Sequence, residues 1–141
     1  MMSNLIPILK AIFKKAAPFF SIMAKLLILH YDPRLVNTWA HLFRQRSPDI
    51  EVLTTSKPNE AVDMLAKNPD AFLCDGTLVG IIHGVNGTSL DLEAVRGQYP
   101  DLPIVGIGPY TNHNTEHLTR RLINITSFQQ IYDGVAAVLP R

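Results

Sequence analysis

The chain has 141 residues, the length of one ordinary domain, and a chain of this size buries about two thirds of the surface that it exposes when unfolded. Its 13 Lys and Arg residues are balanced by 12 Asp and Glu residues, which excludes the strong positive field that draws proteins to nucleic acid. The balanced charge leads us to expect no nucleic-acid partner. The single cysteine, Cys74, excludes an internal disulfide framework, so we expect a cytoplasmic protein.

Residues 1–24 are predicted to form an N-terminal amphipathic helix that precedes a domain of residues 25–141. The only charged side chains in this segment are Lys10, Lys14 and Lys15, and apolar residues follow at helical spacing at Ile6, Leu9 and Phe13. Three lysines argue against a transmembrane span, and a secretory signal is a weaker alternative because its charges would lie late. The helix is expected on a membrane surface, in the groove of a partner, or packed on its own domain, since amphipathicity alone does not distinguish these. The first of these would place the protein at the membrane periphery.

From Lys25 onward, short apolar runs alternate with helical patterns, which predicts a parallel sheet covered by helices on both faces. The predicted strands are Leu26–Leu29, Ile50–Leu53, Ala71–Asp75, Pro103–Ile107 and Arg121–Ile125. Helices are predicted to begin after the cap at Asp32, at Ser56 and Pro58, at Leu90, and at the capping box Ser127–Gln130. Residues 76–88 contain four glycines and are predicted to form a flap.

Asp75 is the main candidate site residue because it ends a strand that is predicted to be buried. In open parallel sheets, ligands gather at the edge where the strands end, so a carboxylate there is placed for chemistry. The alternative is that Asp75 caps the turn that begins at Gly76, since Asp-Gly is a strong turn dipeptide in any fold. We favour the capping role.

Other candidate sites are weaker. His113 and His117 are four residues apart, as helical metal ligands are, but no third ligand follows, so we predict no metal site. The Gly-Ile-Gly-Pro run at 106–109 lacks the third glycine of a dinucleotide site, and no Ser or Cys lies in a nucleophile elbow. We therefore predict no enzymatic activity and no cofactor.

Three strings of the sequence, taken in order, resemble the receiver domain of response regulators. They are LILHYDP at 27–33, DAFLCD at 70–75 and YPDLPIV at 99–105, and the resemblance extends from Lys25 to Leu139. It implies an α/β, three-layer, flavodoxin-like fold with five parallel strands, and a role in two-component or phosphorelay signalling.

The resemblance also implies where the groups of a working receiver would fall. The phosphoacceptor position falls on Asp75, the acidic pair on His30 and Tyr31, the hydroxyl position on Gly108, and the lysine position on Asn124 or Ile125. Asp32 could supply one carboxylate, but a helix cap is the favoured role. Magnesium prefers oxygen ligands, and phosphoryl transfer depends on cations, so we expect a degenerate receiver, or pseudo-receiver, without a magnesium site.

We predict that this pseudo-receiver acts by binding a signalling protein or a second copy of the chain. The resemblance implies a surface built from the fourth helix, fifth strand and fifth helix, in the stretches 111–122 and 127–139, and places Tyr110 in the region that moves in switching receivers. Two alternatives stay open: a small-molecule-binding module at the flap and Gly108, and an atypical receiver that is phosphorylated on Asp75.

Overall fold

The computed structural model describes residues 24–80 and 89–139 of the chain. The predicted N-terminal helix, apart from residue 24, and most of the predicted flap lie outside these ranges. The sheet has five strands in the order β2-β1-β3-β4-β5, and every pair of neighbours is parallel. The strands are β1 Lys25–Leu29, β2 Glu51–Thr55, β3 Ala71–Asp75, β4 Ile104–Ile107 and β5 Arg120–Leu122. The predicted three-layer parallel fold is confirmed.

Five α-helices connect or follow these strands in the described ranges. They are α1 Pro33–Arg46, α2 Pro58–Leu65, α3 Leu92–Gln98, α4 Asn112–Thr115 and α5 Phe128–Ala136, and a short 3-10 turn occupies Gly76–Leu78. Within the described ranges, no helix has the length and apolar character needed to cross a bilayer.

The predicted caps explain where the longest helices begin. The Asp32 side chain accepts a hydrogen bond from the main-chain N–H of Arg34 at 3.0 Å, and Pro33 occupies the first helical position of α1. Ser127 and Gln130 form the predicted capping box of α5. The predicted start of α3 at Leu90 is wrong, because Leu90 pairs with Val79 in an isolated bridge and Asp91 is the cap instead.

Two apolar clusters fill the two sides of the sheet because successive side chains of a strand point to opposite faces. Leu26 and Ile28 of β1 join the cluster under α1 and α5, whereas Leu27 and Leu29 join the cluster under α2 and α3. All four are at most 1% exposed. Burial of each such side chain stabilises the fold by about 1.5–3 kcal/mol, so β1 anchors both layers.

The predicted fifth strand, Arg121–Ile125, is wrong at its C-terminal end. The last paired residues are Ile107 and Leu122, and β4 offers no further partner beyond Ile107. Asn124 then takes a left-handed conformation with φ of 54°, which turns the chain away from the sheet. The apolar residues that suggested a longer strand have other roles: Ile123 is 62% exposed and Ile125 packs on the α1/α5 cluster.

Candidate functional site

The ends of β1 and β3 bring His30 and Asp75 together at the carboxyl edge of the sheet. The two strands are neighbours, and Leu29 pairs with Cys74. The next residues, His30 just after β1 and Asp75 at the end of β3, are therefore adjacent. His30 is 7% exposed and Asp75 is 3% exposed. The candidate site is therefore a buried acid beside a buried imidazole.

Both oxygens of the Asp75 carboxylate accept hydrogen bonds from main-chain N–H groups. Oδ2 accepts from Tyr31 at 3.1 Å, and Oδ1 accepts from Thr77 at 2.9 Å. The second bond caps the 3-10 turn that begins at Gly76, which is the turn-capping role predicted from the Asp-Gly dipeptide. Asp75 thus ties the loop after β1 to the turn after β3.

His30 is held as a neutral ring between aromatic neighbours. Its Nδ1 accepts a hydrogen bond from the main-chain N–H of Asp32 at 3.1 Å, so the proton of the neutral imidazole lies on Nε2. Nε2 is 3.7 Å from Asp75 Oδ2, beyond hydrogen-bond distance but within reach of charge attraction. Burial lowers the pKa of His30, and the nearby Asp75 and Asp32 carboxylates oppose this shift more weakly. The ring stacks on Tyr31 and meets the edge of Trp39.

The connection between β4 and α4 packs directly on the end of β3. Tyr110 donates a hydrogen bond from its hydroxyl to the carbonyl oxygen of Cys74 at 2.6 Å. A Cβ placed on Gly76 would overlap the carbonyl oxygen of Pro109 and lie 2.7 Å from the Tyr110 ring. Only a glycine at position 76 allows this approach. Sequence reasoning missed this role of Gly76. The available signal was that the predicted third and fourth strands are each followed directly by a glycine.

Burial under this connection keeps the Cys74 thiol and the Tyr110 hydroxyl protonated near neutral pH. It raises the pKa of the Cys74 thiol to about 12 and also raises the pKa of the Tyr110 hydroxyl. Neither group is therefore available as an anionic nucleophile.

Gly108 borders the carboxylate without contributing a polar group. A Cβ at this position would lie 3.5 Å from Asp75 Oδ1, and the backbone has φ of 84°, which only glycine adopts without strain. The position beside the acid is therefore filled by main chain.

Comparison with solved structures matches this arrangement of strands and helices to a known architecture. A response regulator receiver domain protein from Clostridium thermocellum superposes with a TM-score of 0.63 and 15% identity, covering 82% of this chain and 94% of that chain. Chemotaxis response regulator CheY4 of Vibrio cholerae gives 0.62 and 20%, covering 83% and 99%. The fold is that of a receiver domain.

A further receiver-fold match is the response regulator TrrA of Thermotoga maritima, solved in complex with Mg²⁺-BeF. It has a TM-score of 0.65 and 17% identity, and the match covers 83% of this chain and all of that chain, 100%. By contrast, no protein-family model matches the sequence, and no curated protein matches it. The likeness is therefore one of fold.

Within this receiver fold, only some of the sequence-predicted site residues lie together. His30, Asp75 and Gly108 meet at the carboxyl edge, whereas Tyr31 contributes its main-chain N–H and its side chain is 62% exposed. Asp32 faces Arg34, and the main-chain bond from Arg34 lowers the pKa of Asp32. The remaining two positions follow β5: Asn124 is exposed, and Ile125 is half-buried and packs against the core.

The donor set of this receiver fold does not fit a magnesium ion. Residues 24–80 and 89–139 contain no group of three or more His, Cys, Asp or Glu side chains placed to hold a metal. Magnesium demands several oxygen ligands, but the side chain 3.7 Å from Asp75 Oδ2 is an imidazole whose Nδ1 lone pair is already used. In the described part of the chain, the only basic side chain with a nitrogen within 4.0 Å of the Asp75 carboxylate is His30, which is neutral.

Proposed function

We propose that this chain is a pseudo-receiver, a regulatory domain that keeps the receiver fold and acts by protein–protein contact. In this proposal, Asp75 is a structural residue and takes no phosphoryl group in a metal-dependent reaction. The observation that carries the proposal is the capture of both Asp75 oxygens by main-chain N–H groups of Tyr31 and Thr77. Hydrogen bonds to the charged carboxylate stabilise the anion, which makes both oxygens weaker nucleophiles.

The surroundings of Asp75 support the same role. Phosphoryl transfer is promoted by cations that offset the charge on the equatorial oxygens, and one positioned cation is worth about 10³–10⁵ in rate in other enzymes. Here the neighbouring positions hold a neutral His30 and a glycine, and the position that follows β5 is an uncharged Asn124. A phosphoryl group would meet little compensating charge.

The proposal is tested by the intact mass of the full chain after incubation with acetyl phosphate and Mg²⁺. The matched control is Asp75→Asn, which keeps an acceptor oxygen for one of the two main-chain bonds. We expect no phosphate-sized gain in either protein. A gain in the wild type that is absent from Asp75→Asn would overturn the proposal and make the chain an atypical receiver.

We place the partner-binding surface on α4, β5 and α5. Arg120 and Arg121 of β5 are exposed, and Ile123 next to them is 62% exposed. An apolar side chain with adjacent cations suits a partner with an acidic rim. A signalling protein or a second copy could occupy this surface. Sedimentation of the wild type and of Ile123→Asp separates them, because a homodimer through this surface would dissociate in the variant.

A further inference from the structure

A groove lies at the amino edge of the sheet, on the opposite side of the domain from Asp75. It is formed by the loops that precede β3 and β4 and by the end of α5, and its volume is about 580 Å³. Its wall includes Asp70, Gln98, Tyr99, Asp101, Leu102 and Val138. This volume is within the usual range of small binding sites, about 300–1,000 Å³, and suits several apolar side chains from one face of a helix.

The wall of the groove is held in shape by Arg96. Its guanidinium donates hydrogen bonds to the carbonyl oxygens of Tyr99 at 3.1 Å, Pro100 at 3.0 Å and Leu102 at 2.8 Å. Because these carbonyls are fixed by a side chain from α3, the groove is formed before anything binds to it. A preformed site avoids the entropic cost of ordering its own wall.

The first described residues of the chain lie beside this groove. The main-chain N–H of Lys25 donates to Asp70 Oδ2 at 2.7 Å, and the main-chain N–H of Asp70 donates to the carbonyl oxygen of Lys25 at 2.7 Å. Asp70 is itself part of the groove wall. Residues 1–23 are therefore tethered at the rim.

The charges of the groove and of the segment are complementary. The two charged side chains in the groove wall, Asp70 and Asp101, are acidic. Residues 1–23 contain Lys10, Lys14 and Lys15 and no acidic residue, and most of their other side chains are apolar. Opposite charges favour this pairing and suppress others.

We propose that this groove is the docking site of the chain's own residues 1–23. The apolar face predicted for the segment contacts Tyr99, Leu102 and Val138, and its lysines lie near Asp101. A short tether raises the effective concentration of the segment to the millimolar range, which favours the groove over a membrane or a separate partner. The proposal is independent of any phosphorylation of Asp75.

The test uses the full chain carrying Ala11→Cys and a nitroxide label. The native Cys74 is buried, and burial raises its pKa to about 12, so the label attaches selectively to position 11. Line broadening is then measured on the amide signals of the isotopically labelled protein. We expect a several-fold loss of intensity at Tyr99, Leu102 and Val138, and little at Gly108 on the opposite edge.

A flexible tether from residue 11 to Lys25 would by itself leave the label about 20 Å away on average, so variants supply the baseline. Gln98→Lys/Asp101→Lys reverses the charge of the groove through two exposed residues, and Gln98→Lys alone leaves Asp101 in place. The matched control is Asn59→Lys/Asp63→Lys, which makes the same change in net charge on the exposed side of α2.

The proposal predicts that the double groove variant restores the signals to the level that the tether alone allows, that Gln98→Lys restores them in part, and that the α2 variant has no effect. Equal broadening in the groove variant and the wild type would overturn it, since the label would then sample the rim only through its tether. Broadening between labelled and unlabelled copies in a mixture would also overturn it, because the segment would then bind a second chain. The proposal would also be overturned if the protein showed no broadening at the groove in the absence of vesicles and yet bound to anionic vesicles.

Discussion

Gly76→Ala is the substitution that most directly tests how the β4–α4 connection closes over the candidate site. The new Cβ would overlap the carbonyl oxygen of Pro109 and lie 2.7 Å from two ring carbons of Tyr110. A rotamer change can move the ring, but only a shift of the main chain can move the carbonyl. Overpacking of this kind costs about 1–3 kcal/mol, so we expect the free energy of unfolding to fall by that amount.

The measurement is urea unfolding followed by circular dichroism, with thermal melting as a second readout. For a domain of this length, the expected loss corresponds to a melting temperature lower by about 3–15 °C. Gly97→Ala is the matched control, because a Cβ at Gly97 meets nothing within 4 Å and the residue lies inside α3. It should stabilise the protein by about 0.5–1 kcal/mol, the usual gain of alanine over glycine in a helix. If Gly76→Ala were as stable as the wild type, the connection could not lie on β3 as described.

Three further predictions concern the groups around Asp75. Burial lowers the pKa of His30 below its ordinary 6.5, so as the pH falls the unfolded chain binds a proton at this histidine before the folded chain does. The free energy of unfolding should therefore be highest above about pH 6.5 and decline below it. Urea midpoints measured across pH should show a smaller decline in His30→Gln. Tyr110→Phe removes the donor to the Cys74 carbonyl and should cost about 1–3 kcal/mol in the same unfolding assay, and an unchanged midpoint would count against that bond. The double variant His30→Asp/Tyr31→Asp supplies two carboxylates at the carboxyl edge, and we expect Mg²⁺ to raise the melting temperature of this variant. Mg²⁺ should not raise the melting temperature of the control His30→Asn/Tyr31→Asn. An equal response in the two variants would show that the added carboxylates do not make a metal site.

The strands, their parallel pairing and the main caps could be predicted from sequence because each leaves a local pattern. The run Ala71–Asp75 is apolar up to its last residue, and Asp32-Pro33 is a strong helix start. The end of β5 could not be predicted in this way. Ile123 and Ile125 are as apolar as strand residues, and only the lack of a partner beyond Ile107 ends the pairing.

The candidate site was predictable in position but not in its bonds. The end of β3 marked Asp75, and the Asp-Gly dipeptide indicated the bond to Thr77. The second bond comes from the main chain of Tyr31, which has no side-chain signature, and is set by the neighbouring positions of β1 and β3. The contact of Tyr110 with Gly76 also joins residues distant in sequence, so no local pattern records it.

The short strand β5 has a consequence for how this protein meets other chains. It forms one edge of the sheet, has three residues, and presents the exposed side chains of Arg120 and Arg121. An edge that is short and positively charged is a poor template for a strand of another molecule, and a second copy would bring the same charges against it. Within the described part of the chain, sheet extension from this edge, the usual route from a free edge to aggregation, is therefore disfavoured.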